Sequence, residues 1–109
     1  MGHIVDLIRM QMKPGTSERA VLDASERAQE LFRRMPGLLR RTLLGPDARG
    51  WWTDLSEFAD LRSLEEARLI AHGQPGDAAD YFALVDMKSM AFERLEVRTQ
   101  LEQTLPSRA

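Results

Sequence analysis

The sequence predicts one α+β domain in the order strand, helix, strand, strand, helix, strand. Three observations carry that expectation. An alternating apolar run opens the chain, a stripe of helical period follows it, and two extended segments around a Gly-Pro-Asp turn lead to a second helix and a last alternating run. This order is the split βαβ arrangement, an antiparallel sheet with its helices on one face.

The first strand spans Ile4 to Met12, with Ile4, Ile8, Met10 and Met12 on one side and Val5 and Leu7 on the other, the pattern of a strand covered on both faces. Lys13-Pro14-Gly15 breaks it, and Thr16 or Ser17 is placed to cap the helix that follows. That helix carries Ala20, Val21, Ala24, Ala28, Leu31, Phe32 and Met35 on one stripe, with Asp23/Arg27 and Glu30/Arg34 four apart on the wet side. Pro36-Gly37 ends it. Leu38 to Leu44 reads as strand two and Gly50 to Leu55 as strand three, an antiparallel pair in which Trp51 and Trp52 point to opposite faces. Ser63 and Glu66 form a capping box for helix two, whose stripe is Leu64, Ala67, Ile70 and Ala71 and whose stop is Gly73. Asp77 is placed to cap a further helical segment carrying Tyr81, Phe82, Leu84 and Val85. Strand four is expected within Phe92 to Leu101, where Leu95, Val97, Thr99 and Leu101 alternate with polar residues. The domain is thus expected to fill residues 1–103, with a frayed tail over 104–109.

Such a sheet has one bare face. Strand one is apolar on both sides and strand three offers a tryptophan to each, so water on that face would meet a large apolar patch. Pairing of the sheet with a second copy, a homodimer, removes it.

Composition narrows the function classes. With 43% hydrophobic and 29% charged residues the chain is globular in balance, and no apolar run approaches the roughly 18 to 20 residues of a membrane span. Fifteen basic against seventeen acidic residues give a net charge of -2, which offers nothing to a phosphate backbone, so no nucleic-acid partner is expected. There is no cysteine, and the start Met1-Gly2-His3 lacks the apolar segment of a signal peptide, so the expected compartment is cytoplasmic. Two histidines without clustered carboxylates predict no metal site.

The run Trp52-Thr53-Asp54, then Phe58, Ser63-Leu64-Glu65-Glu66-Ala67, Tyr81-Phe82 and Asp86 before a closing strand resembles the dimeric α+β barrel superfamily, typified by antibiotic-biosynthesis-monooxygenase-like proteins. The resemblance implies a ferredoxin-like βαββαβ fold, a dimer, and a ligand cleft between sheet and helices. It also implies a range of activities: cofactor-independent monooxygenases, haem degraders, small isomerases and non-catalytic members. The oxygenase members use an asparagine, and this chain has none, so haem breakdown through such a site is not expected.

Five residues stand out as a candidate site. His72 is the side chain that titrates near neutrality and is either a proton carrier at the cleft or a dipole partner at a helix end. Trp51 and Trp52 suit the wall of a flat ligand's pocket, Trp52 being the one assigned to the cleft; otherwise one of the two fills the core and the other the seam of the dimer. Asp54 shares the Trp52 face, Asp6 interrupts the apolar side of strand one, and each needs a cation if buried; Arg9 and one of Arg40 and Arg41 are the nearest candidates. Tyr81 completes the set as a ligand contact. The resulting expectation is a small-molecule-binding domain that acts without a cofactor, as a monooxygenase or isomerase, on a flat hydrophobic metabolite, with His72 and Asp54 catalytic and Trp52, Arg9 and Tyr81 binding. The alternative is a non-catalytic dimer that binds a ligand or a protein.

Overall fold

The computed structural model describes residues 2–105. Its elements are β1 (Ile4–Met12), α1 (Glu18–Phe32), β2 (Leu38–Leu44), β3 (Trp51–Phe58), α2 (Leu61–Gly73), α3 (Ala79–Leu84) and β4 (Val85–Glu96), with a single 3₁₀ turn at Gly76–Ala78 leading into α3. The four strands form one antiparallel sheet in the order β2-β3-β1-β4, the ferredoxin-like plan. The expected tail falls partly on residues 106–109, which lie outside the described residues.

Alternation sorts the sheet into two faces. Ile4, Asp6, Ile8 and Met10 stand opposite Phe58, Ser56, Asp54 and Trp52 on the face that the helices cover. Val21, Ala24, Ala28 and Leu31 of α1 and Leu64 and Ala67 of α2 pack there with Met10, Trp52, Phe58 and Tyr81 as the core. The other face carries Val5, Leu7, Leu55, Leu44 and Leu95, and among the described residues no helix lies over it. Leu44 and Leu95 are nearly half exposed.

The starts and ends of elements correct several expectations. Ser17 caps α1 by accepting from Ala20 N–H at 3.1 Å, while Thr16 turns its hydroxyl to the Lys13 carbonyl. Asp23 pairs with Arg19 rather than with Arg27, and Glu30 with Arg33 rather than with Arg34. Arg27 reaches Asp80 and Arg34 reaches Asp77, tying α1 to the segment around α3, and so Asp77 does not cap it. Helix α2 begins earlier than the Ser63/Glu66 box predicts. Asp60 takes the N-cap by accepting from Ser63 N–H at 2.8 Å, which leaves Ser63 inside the first turn and Glu66 in an ion pair with Arg62.

The largest correction concerns the last strand, which runs over Val85–Glu96 rather than Phe92 to Leu101. Val85 belongs to this strand and not to the helix before it. Pairing explains both ends. Met12 faces Val85 and Ile4 faces Glu96, and beyond Val97 N–H bonding to the His3 carbonyl there is no more β1 to pair with, however well the later residues alternate. At the near end a register shift between Arg9 and Gln11 loops out Met87-Lys88-Ser89-Met90 after Asp86. Ser89 fills the gap, accepting from Gln11 N–H at 2.7 Å and donating to the Asp86 carbonyl at 2.6 Å. Polar residues and a bulge hid a strand that the partner strand dictates.

Candidate functional site

Asp54 sits in mid-β3 on the covered face, where a lone carboxylate would be strongly disfavoured. Three elements supply its partners. Arg41, one strand over on β2, donates from Nη2 at 2.8 Å and from Nε at 3.2 Å to each carboxylate oxygen. Tyr81 of α3 donates its hydroxyl to Oδ2 at 2.9 Å. Arg41 Nη1 donates to Ser25 Oγ of α1 at 2.9 Å, and the guanidinium lies over the Phe32 and Tyr81 rings. The Arg41 side chain is only 4% exposed, so this ion pair stands in a dry interior where removing one charge strands the other. Burial lowers the Arg41 pKa, but the Asp54 carboxylate, with Tyr81 beside it, more than offsets that and leaves it above the ordinary value. Burial, reinforced by the Asp54 charge, pushes the Tyr81 phenol well above its usual range, so Tyr81 is a fixed donor at any physiological pH.

A second buried acid, Asp6, is held by Arg68 of α2 at 2.8 Å. Arg68 also lies over the Phe92 ring, an exposed aromatic of β4. The signal for Arg68 is in the sequence: it stands four residues after Leu64, on the stripe of α2 that faces the sheet, where only a pairing cation belongs.

The larger cavity lies at the other end of the sheet, between the β1–α1 turn and the β2–β3 loop. It holds about 390 Å³. Met12, Pro14, Pro46 and Trp52 line it with apolar surface, and Lys13, Arg49, Glu18 and Asp86 bring charge to it. A smaller notch of about 180 Å³ opens beside Phe32 and Arg41. Gly45 shapes the loop next to the large cavity: its φ is +121° and a Cβ there would lie 2.9 Å from the Trp51 carbonyl.

The five candidate residues therefore divide. Asp54 and Tyr81 touch, and Trp52 shares their face and borders the large cavity while standing only 4% exposed in the core. Arg9 is on the opposite face, exposed, 5.0 Å over the Trp51 ring and 3.6 Å from Asp47. His72 is exposed in the last turn of α2 and lines neither cavity. Lys13 and Arg49, which do line the large one, carry no motif in the sequence, where Asp86 belongs only to the family resemblance; a turn, a loop and the start of β4 bring the three together.

Known structures share this fold. SnoaB, a cofactor-independent oxygenase from Streptomyces nogalater, superposes with a TM-score of 0.62 at 21% identity, over 98% of this chain and 100% of that one. A protein described as a putative antibiotic biosynthesis monooxygenase from Bordetella bronchiseptica gives 0.70 at 17% identity, over 97% and 100%. A dimeric ferredoxin-like protein of unknown function from Jannaschia sp. CCS1 gives 0.66 at 16% identity, over 88% and 100%. The chain has the fold of the dimeric α+β barrels. That likeness is one of fold, shared by oxygenases and by proteins of unknown function. No family model and no curated protein matches the sequence. Among the described residues no helix is long and apolar enough to cross a membrane.

Proposed function

We propose that this chain is a small-molecule-binding domain that works as a homodimer of the α+β barrel type, taking a flat, largely hydrophobic metabolite into the cavity walled by Trp52. The observation that carries this reading is the cavity itself. Its size falls in the range of small-molecule sites, and it joins a tryptophan and two prolines to a few charged groups. The Asp54–Arg41–Tyr81 network, on the same sheet face as Trp52 but lining the cavity with none of its residues, has its hydrogen bonds already made, so its part is to tie β2, β3, α1 and α3 together. The dimer is supported by the uncovered sheet face, with its row of Val5, Leu7, Leu55 and Leu95, and by the dimeric relatives. Binding is tested by titrating the protein with planar aromatic compounds and following tryptophan fluorescence. Saturable quenching that Trp52→Leu abolishes supports the reading, and unchanged fluorescence with no heat of binding ends it.

A second reading, favoured by the likeness to SnoaB, adds catalysis: oxygenation of a phenolic ligand without an added cofactor. Such a reaction begins by taking a proton from the substrate. Asp86, at the cavity, is the better placed base, because Asp54 is occupied by Arg41 and Tyr81 and His72 lies away from the cavity. Oxygen uptake matched to loss of a phenolic polyketide, abolished in Asp86→Asn, supports it. Binding without oxygen uptake leaves the protein a non-catalytic binder.

A further inference from the structure

We infer that the ligand of the Trp52 cavity carries a single negative charge, a planar aromatic carboxylate held between Lys13 and Arg49; this rests on the binding reading above and names its ligand class. Four charged residues line the cavity, and formally they cancel: Lys13 and Arg49 against Glu18 and Asp86. Their local environments differ, although neither acid makes an ion pair among the described residues. Glu18 is in the first turn of α1, where the free N–H groups at the helix start already favour a negative charge. Asp86 Oδ1 accepts from Lys88 N–H at 3.2 Å, one hydrogen bond to an acid that keeps its charge. Lys13 and Arg49 have no such compensation. Nine of the arginines among the described residues make an ion pair with a carboxylate, from Arg9 with Asp47 to Arg98 with Glu96, but Arg49 makes none, and neither does Lys13.

Asp47, the acid closest to Arg49 in sequence, is spent elsewhere. Its Oδ1 accepts from the backbone N–H groups of Arg49 and Trp51, and its Oδ2 faces Arg9. The two cations thus stand at the mixed polar and apolar cavity without an ion pair, Lys13 brought by the turn after β1 and Arg49 by the loop before β3, where its charge also acts on Asp47. Trp52, Met12, Pro14 and Pro46 suit a flat ring system, and the cations suit an acidic group at its edge. One negative charge fits better than two, because Glu18 and Asp86 would repel a dianion.

The test uses three probes of the same shape and different charge: naphthoate, naphthalenemethanol and naphthylmethylammonium, each titrated calorimetrically into the full-length protein. Naphthoate is expected to bind about tenfold more tightly than the alcohol, and the ammonium most weakly, as charge-assisted hydrogen bonding requires. The double variant Lys13→Gln, Arg49→Gln changes two exposed residues, so it folds; its thermal unfolding temperature checks that. It should lose the tenfold preference and keep the alcohol's affinity. Equal binding of acid and alcohol, or a preference that survives in the variant, overturns this inference and leaves the binding reading standing. Failure of all three probes to bind overturns both.

Discussion

Tyr81 is the only tyrosine in the chain, and this makes one buried hydroxyl spectroscopically visible. Its phenol donates to Asp54 in a dry site, and burial raises its pKa far above the ordinary 10.0. The native protein therefore binds the phenolic proton more tightly than the unfolded chain does. The resulting stability is fully present below pH 10 and is lost as pH rises beyond it. Near-ultraviolet phenolate absorbance should stay absent in the native protein past pH 10 and appear near the ordinary value in strong denaturant. A native protein that titrates normally would show that Tyr81 is not buried against Asp54. The Arg41–Asp54 pair makes a second prediction. Arg41→Leu leaves the Asp54 carboxylate buried without its cation and should cost about 3–5 kcal/mol, measured by urea unfolding. Adding Asp54→Leu to it should restore much of that loss, because no uncompensated charge remains. If the double variant is no more stable than the single one, the interior is not dry enough for the pair to matter.

Among the elements, α2 and the turn before β2 depend on local features that single substitutions probe. Asp60 accepts from Ser63 N–H and that bond holds its carboxyl below the ordinary range, so the capped helix is most stable above the usual carboxylate pKa and weakens as pH falls through it. Asp60→Ala should lower the unfolding temperature and remove that acid sensitivity, whereas Asp60→Ser should retain most of the cap. Equal stability of both variants would place the start of α2 elsewhere. Gly37 has a φ of +76°, and a Cβ there would overlap the Ser63 side chain in the same turn of α2. Gly37→Ala should therefore destabilise for two reasons at once, and replacing Ser63 by glycine as well should relieve only the overlap. Strand β4 shows how one element decides another: its bounds follow β1, and its bulge is filled by Ser89 rather than signalled by a hydrophobic pattern.

At the scale of the whole molecule the two faces of the sheet have different fates. One is closed by α1, α2 and α3, and the other carries Leu7 and Leu55 directly opposite each other with no element of the described residues above them. Light scattering after size exclusion should give about twice 12.4 kDa. Leu7→Glu puts a charge in the middle of that face while leaving the helix-covered core untouched, so the chain should become monomeric and stay folded. A native protein that runs as a monomer at micromolar concentration would overturn the homodimer.

The sequence by itself determined the fold and its order of elements, because alternation in β1, the stripe of α1 and the opposed Trp51 and Trp52 are local patterns that each element imposes on its own residues. It determined too that Asp54 and Asp6 would need cations, since both interrupt apolar strand faces. What only the tertiary structure decided is which groups meet. Arg41 rather than Arg9 answers Asp54, because neighbouring strands bring Leu43 opposite Asp54 and place Arg41 on the same face, two residues along. Arg68 answers Asp6 from 62 positions away. Lys13, Arg49, Asp86 and Trp52 gather at one cavity through a turn, a loop and a bulged strand, none of which has a period to read. Periodicity reports on the surface an element presents; partnership depends on register and on helix placement, and these are set only when the whole chain packs.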